Sequence, residues 1–333
     1  MKWLAAFGTA LTFAALVVAL AVKEAPAQTS RDVYEACLPG KQEIAATKLP
    51  RTVDQARCPV RGRTIVDAGG VGTVLPEPGS GVYVEAYGVF GGQELEVLNR
   101  RDRTFVMRGI GSDSPLSSAG TITAQAVPDG CGDGAYKPNP ANQGSRLYRD
   151  LPYRFNSGST PSNVSAGAAE TAIREGNRDI SQVINPCGVS DGVPRSMVWD
   201  GTTSAGTDVN ADTSCGPLDQ QSVIGFGDLP ARYLAWTCTG TYLREGQDEV
   251  ASTDIRINKR DYSWTAEVTS NCSGRYDIEA TVAHERGHSY GMYHVDEGTH
   301  PYQTMSAASE GSCQTSERSL GLGDARGLNQ KYP

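Results

Sequence analysis

The chain has 333 residues, of which 38% are hydrophobic and 20% charged, with a formal net charge of −8. That balance fits a soluble folded protein with room for two domains, or for one large domain and an appendage. The acidic balance and the lack of a basic run argue against a nucleic-acid partner, and neither a heptad pattern nor an internal repeat is visible.

Residues 1–27 have the layout of an export signal. Lys2 supplies the positive start, Leu4 to Val22 is an apolar run, and Ala25-Pro26-Ala27 is a small-residue cleavage site. The expected product begins at Gln28 and is secreted; left uncleaved, the same run would anchor the chain in a membrane. Eight cysteines in an exported chain predict up to four disulfides, and none is spaced C-x-x-C as in thiolate zinc or redox motifs.

Residues 28–59 are polar and mixed, with Cys37 and Cys58 close enough to staple a small loop. From Arg63 to about Thr123 short strand patterns alternate with glycine and proline, at Thr64–Val66, Val82–Tyr87, Glu94–Leu98 and Thr104–Met107. They predict a small all-β unit within residues 28–127, serving as propeptide, accessory module or cap. Residues 128–146 are rich in Gly, Pro and Asn and mark the start of a second, α/β domain over residues 128–333.

In that domain Tyr153 and Phe155 alternate as in a strand. Val164, Ala168, Ala172, Ile173, Ile180 and Ile184 then predict a helix over 163–184, capped by Ser162 or Asn163. Further strands are expected at Met197–Trp199, Ser222–Phe226 and Tyr233–Tyr242. Residues 251–258 alternate apolar and polar, which predicts a half-buried strand. A helix starting near Asp277 follows.

Three of the four histidines fall within eleven residues, His284 to His294. On a helix, His284 and His288 sit one turn apart on one face and can reach one ion. Glu285 lies about 100° round the axis, where it flanks the ion without binding it. Gly291 can take positive φ, end the helix and bring His294 back as third ligand. Three imidazoles leave one tetrahedral position on Zn²⁺ for water, with Glu285 placed as general base.

The pattern HExxHxxGxxH resembles the metzincin signature at every defining position. The likeness extends over roughly residues 145–333 and is nearest to secreted actinobacterial matrixin-like proteases, on His-Glu-Arg-Gly-His and the later Thr-Met-Ser. It implies an α/β (α+β) zincin fold with a mixed twisted sheet and an active-site helix. Met305, eleven residues after His294, looks like the Met-turn methionine that packs beneath the zinc ligands. Residues 320–332 resemble the final matrixin helix, with Gly323-Asp324 as cap and Leu328 and Tyr332 on the core. By family position, Tyr233–Tyr242 is the edge strand along which a protein or peptide substrate lies extended.

Three departures from the family matter. Arg286 replaces an apolar residue; only His300 remains for a second zinc site, so it reads as a loop residue; and Ala307 stands where some relatives carry a ligating tyrosine. Asp208, Asn210 and Asp212, with Asp219 beyond, have the oxygen spacing of a calcium loop. Thr213 occupies the position that needs glycine, so a solvated loop is expected and Ca²⁺ is the alternative. Cys131 has the position of a propeptide cysteine that ligates zinc, without the arginine and proline of the family switch. The cysteines pair evenly only if Cys131 is bonded, and the expected pairs are Cys131–Cys187, Cys215–Cys238, Cys272–Cys313 and Cys37–Cys58. The expectation is a secreted zinc endopeptidase. Its alternatives are a zincin-fold hydrolase of another amide or ester, and a binding or adhesion protein with a structural zinc.

Overall fold

A computed structural model describes residues 37–38, 40, 42–109, 130–138, 145–190, 192–245 and 248–333. The expected export signal lies outside the described residues. Seven strands come from the N-terminal part: β1 Glu43–Ala45, β2 Thr52–Asp54, β3 Thr64–Val66, β4 Gly72–Val74, β5 Ser80–Gly88, β6 Gln93–Asn99 and β7 Thr104–Arg108. After β8 (Lys137–Pro138) come β9 Leu151–Phe155, helix α1 Ala166–Ser181, β10 Met197–Thr202, β11 Ser214–Cys215, β12 Val223–Gly227, β13 Tyr233–Tyr242 and β14 Glu249–Asn258. Short strands β15 Ser263–Thr265 and β16 Arg275–Asp277 lead into α2 Ile278–Ser289, followed by β17 Met292–Tyr293 and α3 Leu322–Lys331.

One nine-stranded sheet, in the order β10-β9-β12-β14-β13-β5-β6-β7-β2, organises the molecule. β10, β9, β12 and β14 run parallel; β13 is antiparallel to β14, and β5, β6, β7 and β2 continue antiparallel beyond it. The architecture is thus mixed α/β. The N-terminal strands do not form a sheet of their own: the break at residues 128–146 in the chain is not a break in the sheet. Tyr233–Tyr242 is correspondingly not an edge. It has its expected bounds, but β5 pairs along it from Tyr233↔Gly88 to Tyr242↔Ser80.

Two apolar cores lie on opposite faces of this sheet. Tyr153, Phe155, Ile173, Ile224, Ile255, Trp264 and Val282 join the helices to one face. Val82, Val84, Leu95, Phe105 and Met107 pack with Ile44, Ile65, Trp236 and Cys238 on the other. The strand alternation of β5 explains the split, since Val82, Val84 and Ala86 point one way and Tyr83, Glu85 and Tyr87 the other. β14 departs from the half-buried expectation: its polar Ser252, Asp254 and Asn258 are all buried. The 205–219 loop covers Asp254, which accepts a hydrogen bond from the Asp208 amide at 3.2 Å.

Helix α1 is shorter than its apolar pattern because Ser165, not Ser162 or Asn163, caps it by accepting from the Ala168 amide at 3.2 Å. Asn163 instead donates to the Trp264 carbonyl, and Ile184 lies beyond the helix, 39% exposed. α3 starts from Gly321 rather than Gly323-Asp324. Asp324 lies inside its first turn and accepts from the Thr304 and Gly321 amides, while Leu328 and Tyr332 are buried as expected. The disulfides are Cys37–Cys58, Cys131–Cys187, Cys215–Cys238 and Cys272–Cys313, the four expected pairs, with no free cysteine. Four such bonds indicate an oxidising compartment. No helix among the described residues is long and apolar enough to cross a membrane.

Candidate metal centre

Asp277 caps α2 by accepting from the Ala280 amide at 2.8 Å, and Arg318 anchors the same carboxylate at 2.6 Å. One turn separates His284 from His288, so both rings leave the same face of the helix. Gly291, at φ +79°, then turns the chain out of the helix, and a Cβ there would meet the Ser145 carbonyl at 2.4 Å. The turn leads through β17, which pairs with β8, to His294.

The three Nε2 atoms converge. His284 to His294 is 3.0 Å, His288 to His284 is 3.0 Å, and His288 to His294 is 3.1 Å. Zn–N bonds of about 2.0–2.1 Å in a tetrahedral arrangement set nitrogens about 3.3 Å apart, so the triad is nearly the right size. Each outer nitrogen faces an acceptor. His284 Nδ1 meets the Thr304 carbonyl at 2.6 Å, His288 Nδ1 the Met292 carbonyl at 3.0 Å, and His294 Nδ1 lies 3.5 Å from Glu94. With Nδ1 donating, each Nε2 carries a lone pair toward the common centre. Burial, and after it the neighbouring His294, hold His284 and His288 well below the usual histidine range. Neutral imidazoles are what a cation requires, and this buried group can hold one metal ion.

Glu285 is fully buried on the same helix. Thr237 of β13 donates to its Oε2, and Oε1 has no hydrogen-bond partner. Burial pushes its carboxyl up to about 8, opposed by the Thr237 hydrogen bond. A divalent cation beside it would favour the ionised form. Met305 is buried beneath the helix: a Cβ on Gly287 would lie 2.1 Å from its sulfur. The unusual Arg286 is also fully buried, with its guanidinium 4.3 Å from the Tyr153 ring centroid and no hydrogen-bond partner among the described residues.

Several neighbours of the triad lie far away in sequence and carry no motif. Tyr87 of β5 stacks on the His284 ring, with centroids 3.8 Å apart, and donates to Glu317. Glu85 abuts His288 at Nδ1, while Tyr83 donates to its other oxygen. Glu94 of β6 accepts from the His294 amide at 3.1 Å and pairs with Lys137 at 3.3 Å. Burial pushes Glu94 up, but His294 and Lys137 outweigh it and hold the carboxyl low. A cleft of about 310 Å³ reaches the triad at its His294 side, bordered by Gly92, Glu94, Lys137 and His300.

The other expected residues fall elsewhere. His300 pairs with Asp133 at 2.9 Å, outside the triad. Asp208 and Asp219 come together with Asp254, but Asp212 turns to the Ser214 amide and hydroxyl, so the calcium-loop spacing does not converge on one point. Cys131 is held by Cys187 and is therefore not a thiolate ligand. No protein-family model matches the chain, and no curated protein matches it.

Proposed function

We propose that the chain is a secreted zinc endopeptidase of the matrixin-like metzincin type. The observation that carries this reading is the convergence of three buried Nε2 atoms, each ring held from behind, on a helix that also carries the buried Glu285. Bound at the triad, Zn²⁺ supplies Lewis acidity toward a carbonyl and lowers the pKa of water. Glu285 has one oxygen fixed by Thr237 and the other free. Oε1 is then the atom that takes a proton from water and returns it to the leaving amine. Thr304, Met292 and Glu94 fix the imidazole tautomers, and Met305 supports the helix between the two histidines.

The mixed sheet and the helix carrying His284 and His288 support this reading, and the disulfides agree with secretion. One observation favours a second reading, a binding protein with a structural zinc: His284, Glu285 and His288 are 0% exposed. Glu285→Gln separates the two. It keeps the ligands and removes the base, so Zn²⁺ content should be unchanged while peptide hydrolysis falls about 10³-fold. Retained hydrolysis in that variant would remove Glu285 from the mechanism.

A further inference from the structure

The chain's own N-terminal hairpin packs over the metal centre, leaving the cleft of about 310 Å³ at the His294 side. The triad residues His284, His288 and His294 are 0%, 0% and 6% exposed. What covers them is β5 with β6. β5 pairs antiparallel along the outer side of β13, and Glu85 stands directly opposite Thr237, the residue that holds Glu285. From the face turned toward α2, Tyr87 stacks on His284, Glu85 abuts His288, and Gly92 lies so near His294 that a Cβ would come within 2.4 Å of its ring.

An extended peptide adds to a sheet through an unpaired edge. Here the edge beside Glu285 is already filled by an extended segment of nine residues, Ser80–Gly88.

The cysteines are distributed in a way that lets this segment leave. Cys37–Cys58 closes within the N-terminal strands, and the other three disulfides join residues between 131 and 313. None crosses between the two parts, so one backbone cut between Gly109 and Gly130 leaves only non-covalent contacts. We infer that the outer edge of β13 is a peptide-binding site occupied in the full chain by residues 80–88, and that this occupation holds the enzyme latent until the N-terminal strands are released. The inference rests on the peptidase reading. The occupant is a strand with a buried carboxylate, not a cysteine, since Cys131 is disulfide-bonded.

The test uses the full chain loaded with Zn²⁺, carrying a recognition sequence for a site-specific protease between Gly109 and Gly130. Hydrolysis of a mixed peptide library is measured before and after the cut, with hydrogen exchange of the 233–242 amides recorded on the same samples. If about 1% of uncut molecules are open, the cut should raise the rate roughly 100-fold, and the β13 amides paired with β5 should lose protection. Equal rates before and after would overturn the latency and leave the peptidase reading standing. No hydrolysis in either sample, with protection lost, would defeat the peptidase reading and keep the strand site. Unchanged protection would overturn the inference itself. Gly88→Val provides a route without cutting, because its Cβ would meet the Gly91 carbonyl at 2.6 Å and the Arg232 carbonyl at 2.7 Å, straining the end of β5 where it meets β13. Activity gained by that uncut variant supports the inference, and a folded variant with no gain counts against it.

Discussion

At the residue scale the centre depends on pairs of groups, each useless without the other. Glu285 would be a costly buried acid but for Thr237, whose hydroxyl donates to one of its oxygens. Thr237→Val keeps the shape of the side chain and removes that donor. Leaving a buried acceptor unpaired costs about 1–3 kcal/mol, so the variant should unfold earlier in urea and hydrolyse peptides more slowly once the site is open. Its Zn²⁺ content should not change, because none of the histidines touches Thr237 through a hydrogen bond. A loss of metal in this variant would mean that Thr237 supports the triad rather than the base. The histidines, Glu285, Gly291 and Met305 stand out in the sequence because their roles follow from local spacing. Thr237, Glu85 and Glu94 do not stand out, since their roles arise only when they come beside Glu285, His288 and His294, which are 48, 203 and 200 residues distant in sequence.

At the scale of elements, α2 is held between Met305 below and α1 alongside. Gly287 is what lets Met305 approach, since an added Cβ would fall 2.1 Å from its sulfur. Gly287→Ala should therefore destabilise the fold by about 1–3 kcal/mol through overpacking. Combining it with Met305→Ala should recover part of that loss, and simple additivity in a double-mutant cycle would contradict the contact. On α1, Asp179 is 3% exposed and has one unpartnered oxygen. Burial, then the nearby Glu279, raises its carboxyl to about 7, against the opposing Arg178. Unfolded, Asp179 loses its proton near pH 4; folded, it keeps it to about 7, so stability from this group falls as pH rises between those values. Asp179→Asn should remove that slope, and thermal melts at pH 5 and pH 7.5 should differ less in the variant than in the wild type. An unchanged difference would place the proton elsewhere. Element positions were readable where hydrophobic period and turn residues agree, as at Tyr233–Tyr242. Helix ends were less so, because Ser162, Asn163 and Ser165 all suit a cap and only tertiary contacts such as Asn163 to Trp264 choose among them.

At the scale of the whole molecule, one sheet joins residues 52–108 to residues 151–258. The sequence divides at its Gly- and Pro-rich stretch, but sheet continuity depends on pairing between β5 and β13, which lie about 150 residues apart and have no local signature. That pairing turns an expected edge strand into an interior one and lays Tyr87 and Glu85 against the histidines. The centre itself remains the claim on which everything else depends. X-ray absorption at the zinc edge, on the full chain dialysed against Zn²⁺, tests it most directly. A three-histidine centre should give one zinc per chain with three imidazole nitrogens at about 2.0–2.1 Å, and His288→Ala should lose that signature. A zinc bound without imidazole, or no stoichiometric zinc at all, would contradict it.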